Sequence, residues 1–325
     1  MVGRHARGER GAVTSPRRAQ GIVLRGTGGV WQVRTDTGET VPASLRGRLK
    51  QGEYDKLAVG DDVIVEQGAR EDAWSIVEIL PRRSKLARRD PGGQPGGRVV
   101  AANIDQVVVV FAIAEPEPHV RMLDRFLVIA EGNDLPSRVV VNKIELAPGP
   151  PTLFREYERI GYPLHYTSVK RGDGLLELKE ALRGRVSALS GPSGVGKSSL
   201  LNVMFPGLNL RVGEISRSVM KGRHTTVGAD LHPLPESGYV VDTPGLREVG
   251  VWGLDARELD RCFPEMRPLL EECRFGDCTH RVEPGCAVRA GVESGAVSRE
   301  RYESYLKLRK ELEEIGVAGS RGRGI

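Results

Sequence analysis

The sequence predicts a multidomain fold: a small N-terminal β-barrel, a central α/β domain and a C-terminal α-helical domain. Three observations indicate this. Short alternating apolar runs separated by glycine turns fill residues 19–82. Long apolar runs then alternate with helical patterns from residue 99 onwards. Three cysteines and one histidine finally cluster within residues 273–286.

Composition bounds the protein class. A chain of 325 residues is expected to form two or three domains. It contains no run of ~20 apolar residues, and its Arg-rich start lacks the apolar stretch of a secretory signal. Four cysteines do not suit a disulfide scaffold. We therefore expect a cytoplasmic protein with no membrane partner, and its net charge of +5 is compatible with nucleic acid.

Changes in composition predict the segment boundaries. Both ends are rich in arginine and poor in apolar residues, so we expect disordered basic tails. Arginine, glycine and proline mark a linker between the first two domains. The predicted segments are a tail at 1–18, a barrel at 19–82, a linker at 83–98, the α/β domain at 99–250, the C-terminal domain at 251–316 and a tail at 317–325.

The N-terminal barrel fits the oligonucleotide-binding (OB) type, because several short strands with glycine turns occupy only about 60 residues. Arg46, Arg48 and Lys50 form a basic segment between its strands. Such a segment favours an RNA-facing surface. The alternative is a barrel that only packs on its neighbour, and it stays open because alternation alone does not reveal a ligand.

The α/β domain is predicted from its periodicity. Apolar runs at 106–112, 137–141, 165–166 and 238–242 indicate buried strands. Helical periods occur at 121–130, 153–160 and 175–182, and a charged amphipathic helix is predicted for 299–315 in the last domain. Strands that alternate with helices predict a mostly parallel sheet with ligands at the strand ends.

Between an apolar run at 186–189 and a helical pattern at 199–204 lies Gly191-Pro-Ser-Gly-Val-Gly-Lys-Ser198, a phosphate-binding loop of the G-x-x-x-x-G-K-S type. Its glycines let backbone N–H groups point at phosphate oxygens. Lys197 would reach the β- and γ-phosphates, and the Ser198 hydroxyl would bind Mg²⁺. The predicted phosphate contacts are Gly191, Pro192, Ser193, Gly194, Val195, Gly196, Lys197, Ser198 and Ser199.

The segment Asn142-Lys143-Ile144-Glu145 follows a predicted strand and resembles the guanine motif Asn-Lys-x-Asp of GTPases. In that motif the carboxylate accepts two N–H groups from the guanine edge. Glu145 keeps the charge and both acceptors on a side chain that is one methylene longer. Thr167-Ser168-Val169 follows the next strand and resembles the GTPase loop that contacts guanine through its backbone.

Two later segments resemble GTPase switches. Lys221-Gly-Arg-His-Thr-Thr226 resembles switch I, where Thr225 and Thr226 are both candidates and Thr226 is assigned to Mg²⁺ with Ser198. Asp242-Thr-Pro-Gly245 resembles the Asp-x-x-Gly motif, with Asp242 on Mg²⁺ and Gly245 sensing the γ-phosphate.

Leu246 follows this motif where many GTPases place the glutamine that orients water. We therefore expect slow intrinsic hydrolysis, rescued by His224, by a partner or by both. An ordinary surface histidine at position 224 is the competing interpretation.

The order of the motifs is unusual, because the guanine motif at 142 precedes the phosphate loop at 191 and the switches follow. This predicts a circularly permuted GTPase domain, which is feasible when domain termini lie close together. A guanylate kinase carries a similar phosphate loop, but it has no place for Asn142-Lys143 or for Asp242-Thr-Pro-Gly245.

The C-terminal cluster has the spacing Cys273-x₄-Cys278-x-His280-x₅-Cys286. Three thiolates and one imidazole suit a closed tetrahedral Zn²⁺ site, and a closed site is structural rather than catalytic. Three buried cysteines beside an unrelated histidine are the alternative. Cys262 lies outside the spacing and is expected in the core.

Barrel, permuted GTPase and zinc domain, in that order, resemble the ribosome small subunit-dependent GTPase A family over residues 20–315. The resemblance implies a bacterial cytoplasmic GTPase that binds the small ribosomal subunit and its rRNA late in maturation, with Mg²⁺, one structural Zn²⁺ and hydrolysis stimulated by the subunit. We expect a monomer. The alternative is an RNA-binding assembly factor that uses nucleotide only as a conformational switch.

Overall fold

The computed structural model describes residues 17–47, 57–68, 73–88, 98–147, 152–210, 229–242 and 254–321. Most of the predicted basic N-terminal tail, the switch segments around His224 and after Asp242, and the last four residues lie outside these ranges. No helix in the described ranges is long and apolar enough to cross a membrane.

Five strands close the N-terminal barrel in the order β1-β2-β3-β5-β4. They are β1 (Arg18–Thr27), β2 (Val30–Thr35), β3 (Thr40–Leu45), β4 (Asp62–Gln67) and β5 (Trp74–Ile79). All neighbouring pairs are antiparallel except β3 and β5, which run parallel. Val23, Val33, Val63, Val65 and Ile76 are completely buried inside it. The predicted OB-type barrel is therefore confirmed.

A two-stranded ladder joins the barrel to the α/β domain. Strand β6 (Lys85–Arg88) pairs antiparallel with β7 (Arg98–Ala102). Leu86 is buried in the main core, and this burial holds β6 in place. Residues 85–88 thus form a strand where the sequence predicted a linker. Likewise, Arg18 begins β1, so the predicted disordered tail at 1–18 is wrong at its last residue.

The central sheet has six strands in the order β10-β9-β8-β11-β13-β12. They are β8 (Gln106–Ala112), β9 (Ser137–Asn142), β10 (Leu164–Tyr166), β11 (Val186–Ser190), β12 (Asp230–Pro233) and β13 (Tyr239–Asp242). All pairs are parallel except that between β12 and β13. Strand β8 is buried along its whole length, as its continuous apolar run predicts.

Within the described ranges, four α-helices lie between these strands. They are α1 (Val120–Glu131), α2 (Arg155–Ile160), α3 (Leu175–Leu182) and α4 (Lys197–Met204). Short 3₁₀ helices lie at Ile144–Leu146 and Thr152–Phe154. The five parallel strands β8, β9, β10, β11 and β13 have their carboxyl ends on the same side of the sheet. The segment Asn142–Glu145, called the guanine segment below, follows β9, and the phosphate loop follows β11.

The C-terminal part is helical. A 3₁₀ helix (Leu259–Cys262) precedes α5 (Arg267–Leu270), α6 (Ala287–Ser294) and α7 (Arg299–Arg321). Helix α7 continues to Arg321, so the disordered tail predicted from residue 317 begins too early. Cys262 is buried, as expected.

A buried arginine connects the C-terminal helices to the α/β domain. Arg301 of α7 is 2% exposed. It donates to Asp124 of α1 at 2.7 Å and to Glu265 at 2.7 Å. Its guanidinium also lies over the Phe263 ring, 4.6 Å from the ring centroid. These ion pairs and hydrogen bonds offset the free energy cost of burying the charged guanidinium group.

Candidate nucleotide-binding site and metal centre

The phosphate loop lies between β11 and the start of α4. Gly191 has φ +131°, and a Cβ at this position would lie 2.0 Å from the carbonyl oxygen of Val110. Gly196 has φ +97°, and its Cβ would lie 2.4 Å from Nδ2 of Asn142. Both positions therefore require glycine, for backbone conformation and for space.

Lys197 is folded back over this loop. Its Nζ donates to the carbonyl oxygens of Gly191 at 2.9 Å and Pro192 at 2.6 Å, and the side chain is 4% exposed. Ser198 follows it in the first turn of α4 and is also buried. The loop thus holds an ammonium group and a hydroxyl at the N-terminal end of a helix, which is a favourable setting for phosphate.

The guanine segment lies directly against the phosphate loop. Asn142 ends β9, is 2% exposed, and donates from Nδ2 to the carbonyl oxygen of Val195 at 2.9 Å. Its Oδ1 accepts a hydrogen bond from the Thr167 hydroxyl at 3.1 Å. Lys143 has a left-handed φ of +62° and donates from Nζ to the Glu115 carbonyl oxygen.

Glu145 has one carboxylate oxygen without a partner. Its Oε2 is buried and no hydrogen-bonding group in the described part of the chain reaches it. Burial acts to raise the pKa of Glu145. However, hydrogen bonds from Ser168 and the Glu145 backbone, together with Lys170 and Arg171, hold the pKa below its usual value. A buried ionised oxygen without a donor is well suited to accept N–H groups from a ligand.

The fold therefore brings three of the predicted segments together. Asn142–Glu145, Thr167–Val169 and the phosphate loop meet through Asn142, Val195 and Thr167, and the Ile144 N–H donates to the Thr167 carbonyl at 3.2 Å. Ser168 is completely buried. Asp242 ends β13 in register with Leu189 of β11, one residue before the end of that strand. His224, Thr225, Thr226 and Gly245 lie outside the described residues.

Sequence reasoning missed the loop after β8. Its Glu115 carbonyl accepts the Lys143 ammonium, and Pro116 Cδ lies 3.7 Å from the point where a Cβ on Gly194 would be. This loop therefore contacts both the guanine segment and the phosphate loop. Its only signal in the sequence is a position directly after a fully buried strand of the parallel sheet.

The predicted metal cluster is assembled. One ligand atom each from Cys273, Cys278, His280 and Cys286 lies within 4.8 Å of the others. His280 Nδ1 is 3.7 Å from Cys273 Sγ and 3.4 Å from Cys286 Sγ. Ligands bonded at about 2.0–2.3 Å to a tetrahedral zinc ion would be separated by about 3.3–3.8 Å. The donor set and its spacing therefore fit Zn²⁺.

Residues around the cluster fix its geometry. His280 Nε2 lies 3.1 Å from a carboxylate oxygen of Asp260, the arrangement that directs Nδ1 at a metal. Sequence reasoning missed Asp260, because it lies 13 residues before Cys273 and outside the Cys/His spacing. The Glu283 carboxylate accepts the backbone N–H groups of Thr279 and Arg281, each at 2.9 Å.

The pKa values in this region follow from burial and hydrogen bonding. Burial raises the pKa of the Cys278 thiol to about 12, so a bound cation would be needed to hold it as a thiolate at neutral pH. Burial also acts to raise the pKa of Glu283, but its hydrogen bonds from Thr279 and from the backbone hold it well below its usual value.

Comparison with known proteins decides the family. A family model described as RsgA GTPase matches residues 79–252, which is more than half of the chain. The chain belongs to the RsgA GTPase family. It is therefore a GTP-hydrolysing enzyme, and the resemblance inferred from the motifs is confirmed.

Relatives of the RsgA family match nearly the whole chain. The small ribosomal subunit biogenesis GTPase RsgA of Gemmatimonas aurantiaca is 59% identical over 297 residues, covering 90% of this chain and 97% of the relative. The protein of the same name from Bacteroides fragilis strain YCH46 is 38% identical over 303 residues, covering 91% and 97%. RsgA similarity thus extends over all three parts of the molecule.

Two solved structures share the fold of this RsgA-family chain. YjeQ from Thermotoga maritima superimposes with a TM-score of 0.76 at 36% identity, covering 91% of this chain and 99% of the other. YloQ, described as a circularly permuted GTPase, gives a TM-score of 0.71 at 26% identity, covering 95% and 98%. The permuted order predicted from the motifs is confirmed.

Proposed function

We propose that this chain hydrolyses GTP during maturation of the small ribosomal subunit. The observation that carries the proposal is the Asn142–Val195 hydrogen bond, because it joins a guanine-type segment to a phosphate-binding loop in one site. The two named relatives are small ribosomal subunit biogenesis GTPases, and their similarity covers at least 90% of this chain.

The base would bind between Asn142-Lys143-Ile144-Glu145 and Thr167-Ser168-Val169. Glu145 Oε2 has no donor among the described residues, so it can accept an N–H group from the guanine edge. Its other oxygen, held by Ser168, can accept the second. Adenine does not present this pair of donors, which supports a preference for GTP. The aliphatic stem of Lys143, anchored at Glu115, would flank the base.

The phosphates would bind along residues 191–199. Lys197 would exchange its contacts with the Gly191 and Pro192 carbonyls for the β- and γ-phosphates. Ser198, Thr226 and Asp242 would hold Mg²⁺, which neutralises charge on the phosphates when it is bound. The Gly245 N–H would sense the γ-phosphate.

Water activation is the weak point of the site. Leu246 cannot orient a water molecule, so we propose slow intrinsic hydrolysis. His224, on the candidate switch I segment, would position the water once a partner orders the site. The small ribosomal subunit would be this partner, and the state with GTP bound would hold it until hydrolysis releases it.

The flanking parts would contact RNA. The barrel, with Arg46, Arg48 and Lys50, would face rRNA, and one structural Zn²⁺ on Cys273, Cys278, His280 and Cys286 would stabilise the C-terminal part. We propose functional boundaries at 19–82, 99–250 and 251–316, and a cytoplasmic monomer as the working form.

The decisive experiment measures GTP hydrolysis with and without purified small ribosomal subunits, with ATP as the control nucleotide. We expect a slow basal rate that rises at least 10-fold with subunits. An unstimulated rate would contradict the ribosomal assignment and leave the GTPase itself intact.

The alternative is an assembly factor for which nucleotide is only a conformational switch. The Lys197→Ala variant separates the two. A GTPase cycle requires this variant to fail in releasing subunits, whereas normal binding and release would favour the alternative.

A further inference from the structure

A second cavity lies at the end of the central sheet opposite the proposed nucleotide site. It has a volume of about 280 Å³, and its lining includes Gln106, Ser137, Arg138, Tyr162, Arg185 and Pro264. Gln106 and Ser137 begin β8 and β9, and Arg185 directly precedes β11, whereas the phosphate loop follows the other end of β11. The two sites are therefore separated by the length of a five-residue strand, roughly 16 Å.

Two arginines of this cavity share one neutral acceptor. Gln106 Oε1 accepts Nε of Arg138 at 2.8 Å and Nη1 of Arg185 at 3.3 Å. Gln106 Nε2 donates to the Ala181 carbonyl at 2.8 Å and lies 2.9 Å from Ser187 Oγ, which fixes the amide with its oxygen toward the arginines. Gln106 is 1% exposed, so this orientation is locked by burial.

The remaining partner of Arg138 is also neutral. Its Nη1 lies 2.7 Å from Nε2 of His165. A guanidinium has donors only, so this imidazole nitrogen must accept and the ring is uncharged. Burial first, and then the Arg138 charge, lower the pKa of His165 in agreement with this arrangement. Burial and the neighbouring Arg185 likewise lower the pKa of Arg138.

The one carboxylate among the described lining residues is already paired. Glu131 accepts Nη2 of Arg267 at 2.5 Å and the Tyr162 hydroxyl at 3.0 Å. Within the described ranges, neither Arg138 nor Arg185 forms an ion pair with a carboxylate, and the Asp105 carboxylate next to Gln106 is paired with Arg83. Half-buried Arg138 and exposed Arg185 thus form a positive pair without a counter-ion.

We propose that this cavity binds a phosphate group. Paired guanidiniums present several N–H donors that match phosphate oxygens, and an anion would provide the charge that the protein does not supply here. The cavity volume suits a compact group such as inorganic phosphate, a small phosphoester or one phosphate of an RNA strand. Pro264 also lines the cavity, so the ligand would contact the sheet and the C-terminal part together.

Calorimetric titration of the full-length, zinc-loaded chain with inorganic phosphate tests this proposal. The protein is saturated with GDP, so that its phosphate loop is occupied. We expect measurable binding that weakens at least 10-fold in Arg185→Gln, an exposed residue whose replacement does not disturb the core. The matched control is Arg183→Gln, two residues away, whose charge is already paired with Glu180 and Glu236.

A short RNA with and without a 5′-phosphate, titrated in the same way, identifies the source of the group. If free phosphate binds, or if only the 5′-phosphorylated RNA binds, the result supports a small phosphoester as the ligand. If both RNAs bind equally, and Arg185→Gln weakens this binding while Arg183→Gln does not, the result supports a backbone phosphate as the ligand. Absence of binding in every arm, or equal losses in the two variants, would overturn the proposal.

Discussion

The side-chain amide of Asn142 donates to the carbonyl oxygen of Val195 at 2.9 Å and joins the guanine segment to the phosphate loop. A Cβ on Gly196 would lie 2.4 Å from the same amide nitrogen. The shape of the phosphate loop therefore depends on a residue 53 positions earlier in the chain. This contact does not depend on the order of the motifs along the chain, because the strands of the central sheet position both of its partners.

Replacing Asn142 with alanine is expected to weaken GDP and GTP binding. The variant loses the bonds to Val195 and Thr167 and leaves a buried carbonyl without its donor, a cost of about 1–3 kcal/mol. Fluorescent-nucleotide titration measures the change. Asn133→Ala is the matched control, because the Asn133 side chain likewise makes two hydrogen bonds, to the backbone of Ile129 and Ala87, away from the site. Equal affinities for the two variants would contradict the role of Asn142.

Glu145→Gln is expected to reduce the preference for GTP over ATP. Replacing an ionised acceptor with an amide removes a charged hydrogen bond to guanine, worth ~1.5–3 kcal/mol. Competition titrations with GTP and ATP measure it, and Glu145→Asp, which restores the usual motif, is expected to keep the preference. An unchanged GTP/ATP ratio in Glu145→Gln would show that the carboxylate does not bind the base.

The pH dependence of guanine binding follows from the same carboxylate. The pKa of Glu145 is depressed in the folded chain, so the contribution of its ionised form is present above the usual carboxyl pKa and is lost only as pH falls through the lower folded value. The protonation of Glu145 should therefore not change the GDP affinity of the wild type between pH 5.5 and 8. This pH range lies above the ordinary carboxyl pKa values of about 4. A midpoint inside that range that disappears in Glu145→Gln would contradict the depressed pKa.

Removal of zinc is expected to unfold the C-terminal part, because a closed Cys₃His site contributes directly to folding. Chelator titration with a chromogenic zinc indicator measures the release, and thermal unfolding measures the loss of stability. Asp260→Asn should lower zinc affinity by about 10- to 100-fold, because Asp260 orients His280. Glu258→Gln, an exposed neighbour, is the control. If Asp260→Asn retains zinc as well as Glu258→Gln does, Asp260 does not contribute to zinc binding.

Arg301→Met should destabilise the fold by ~3–5 kcal/mol, because Asp124 and Glu265 would stay buried without their cation. Urea unfolding measures this free energy. Lys310→Met, on the exposed face of the same helix, removes a pair with Glu314 and should cost about 0–1 kcal/mol. A similar loss for both variants would show that the buried cluster does not stabilise the junction.

Local patterns in the sequence were sufficient for the parts of the fold that depend on neighbouring residues. The strand at 106–112 and the glycine-rich turn between β11 and α4 were predicted correctly, because continuous apolar runs and fixed glycines are local signals, although α4 begins at Lys197 rather than at residue 199. Strand β12 was missed because, in its four residues, only Leu231 is buried. Strand β6 was missed because it lies in a basic segment, and Leu86 is its one buried residue among the side chains that the structure describes.

Contacts between distant residues could not be predicted in the same way. Arg301 lies in a charged helix, and its partner Asp124 is 177 positions away. Asp260 reaches His280 only after the C-terminal helices have packed. Such pairs are set by tertiary structure, and neither periodicity nor motif spacing identifies them.

The main hydrophobic core is continuous from Leu24 in the barrel, through Phe111 of the sheet, to Tyr305 and Leu312 in the last helix. This core has a consequence for biosynthesis. A chain emerging during translation cannot close it until α7 has been made, so a nascent or truncated chain leaves apolar surface of the earlier parts exposed to water. Premature termination before residue 299 should therefore give an aggregation-prone product rather than a smaller working enzyme.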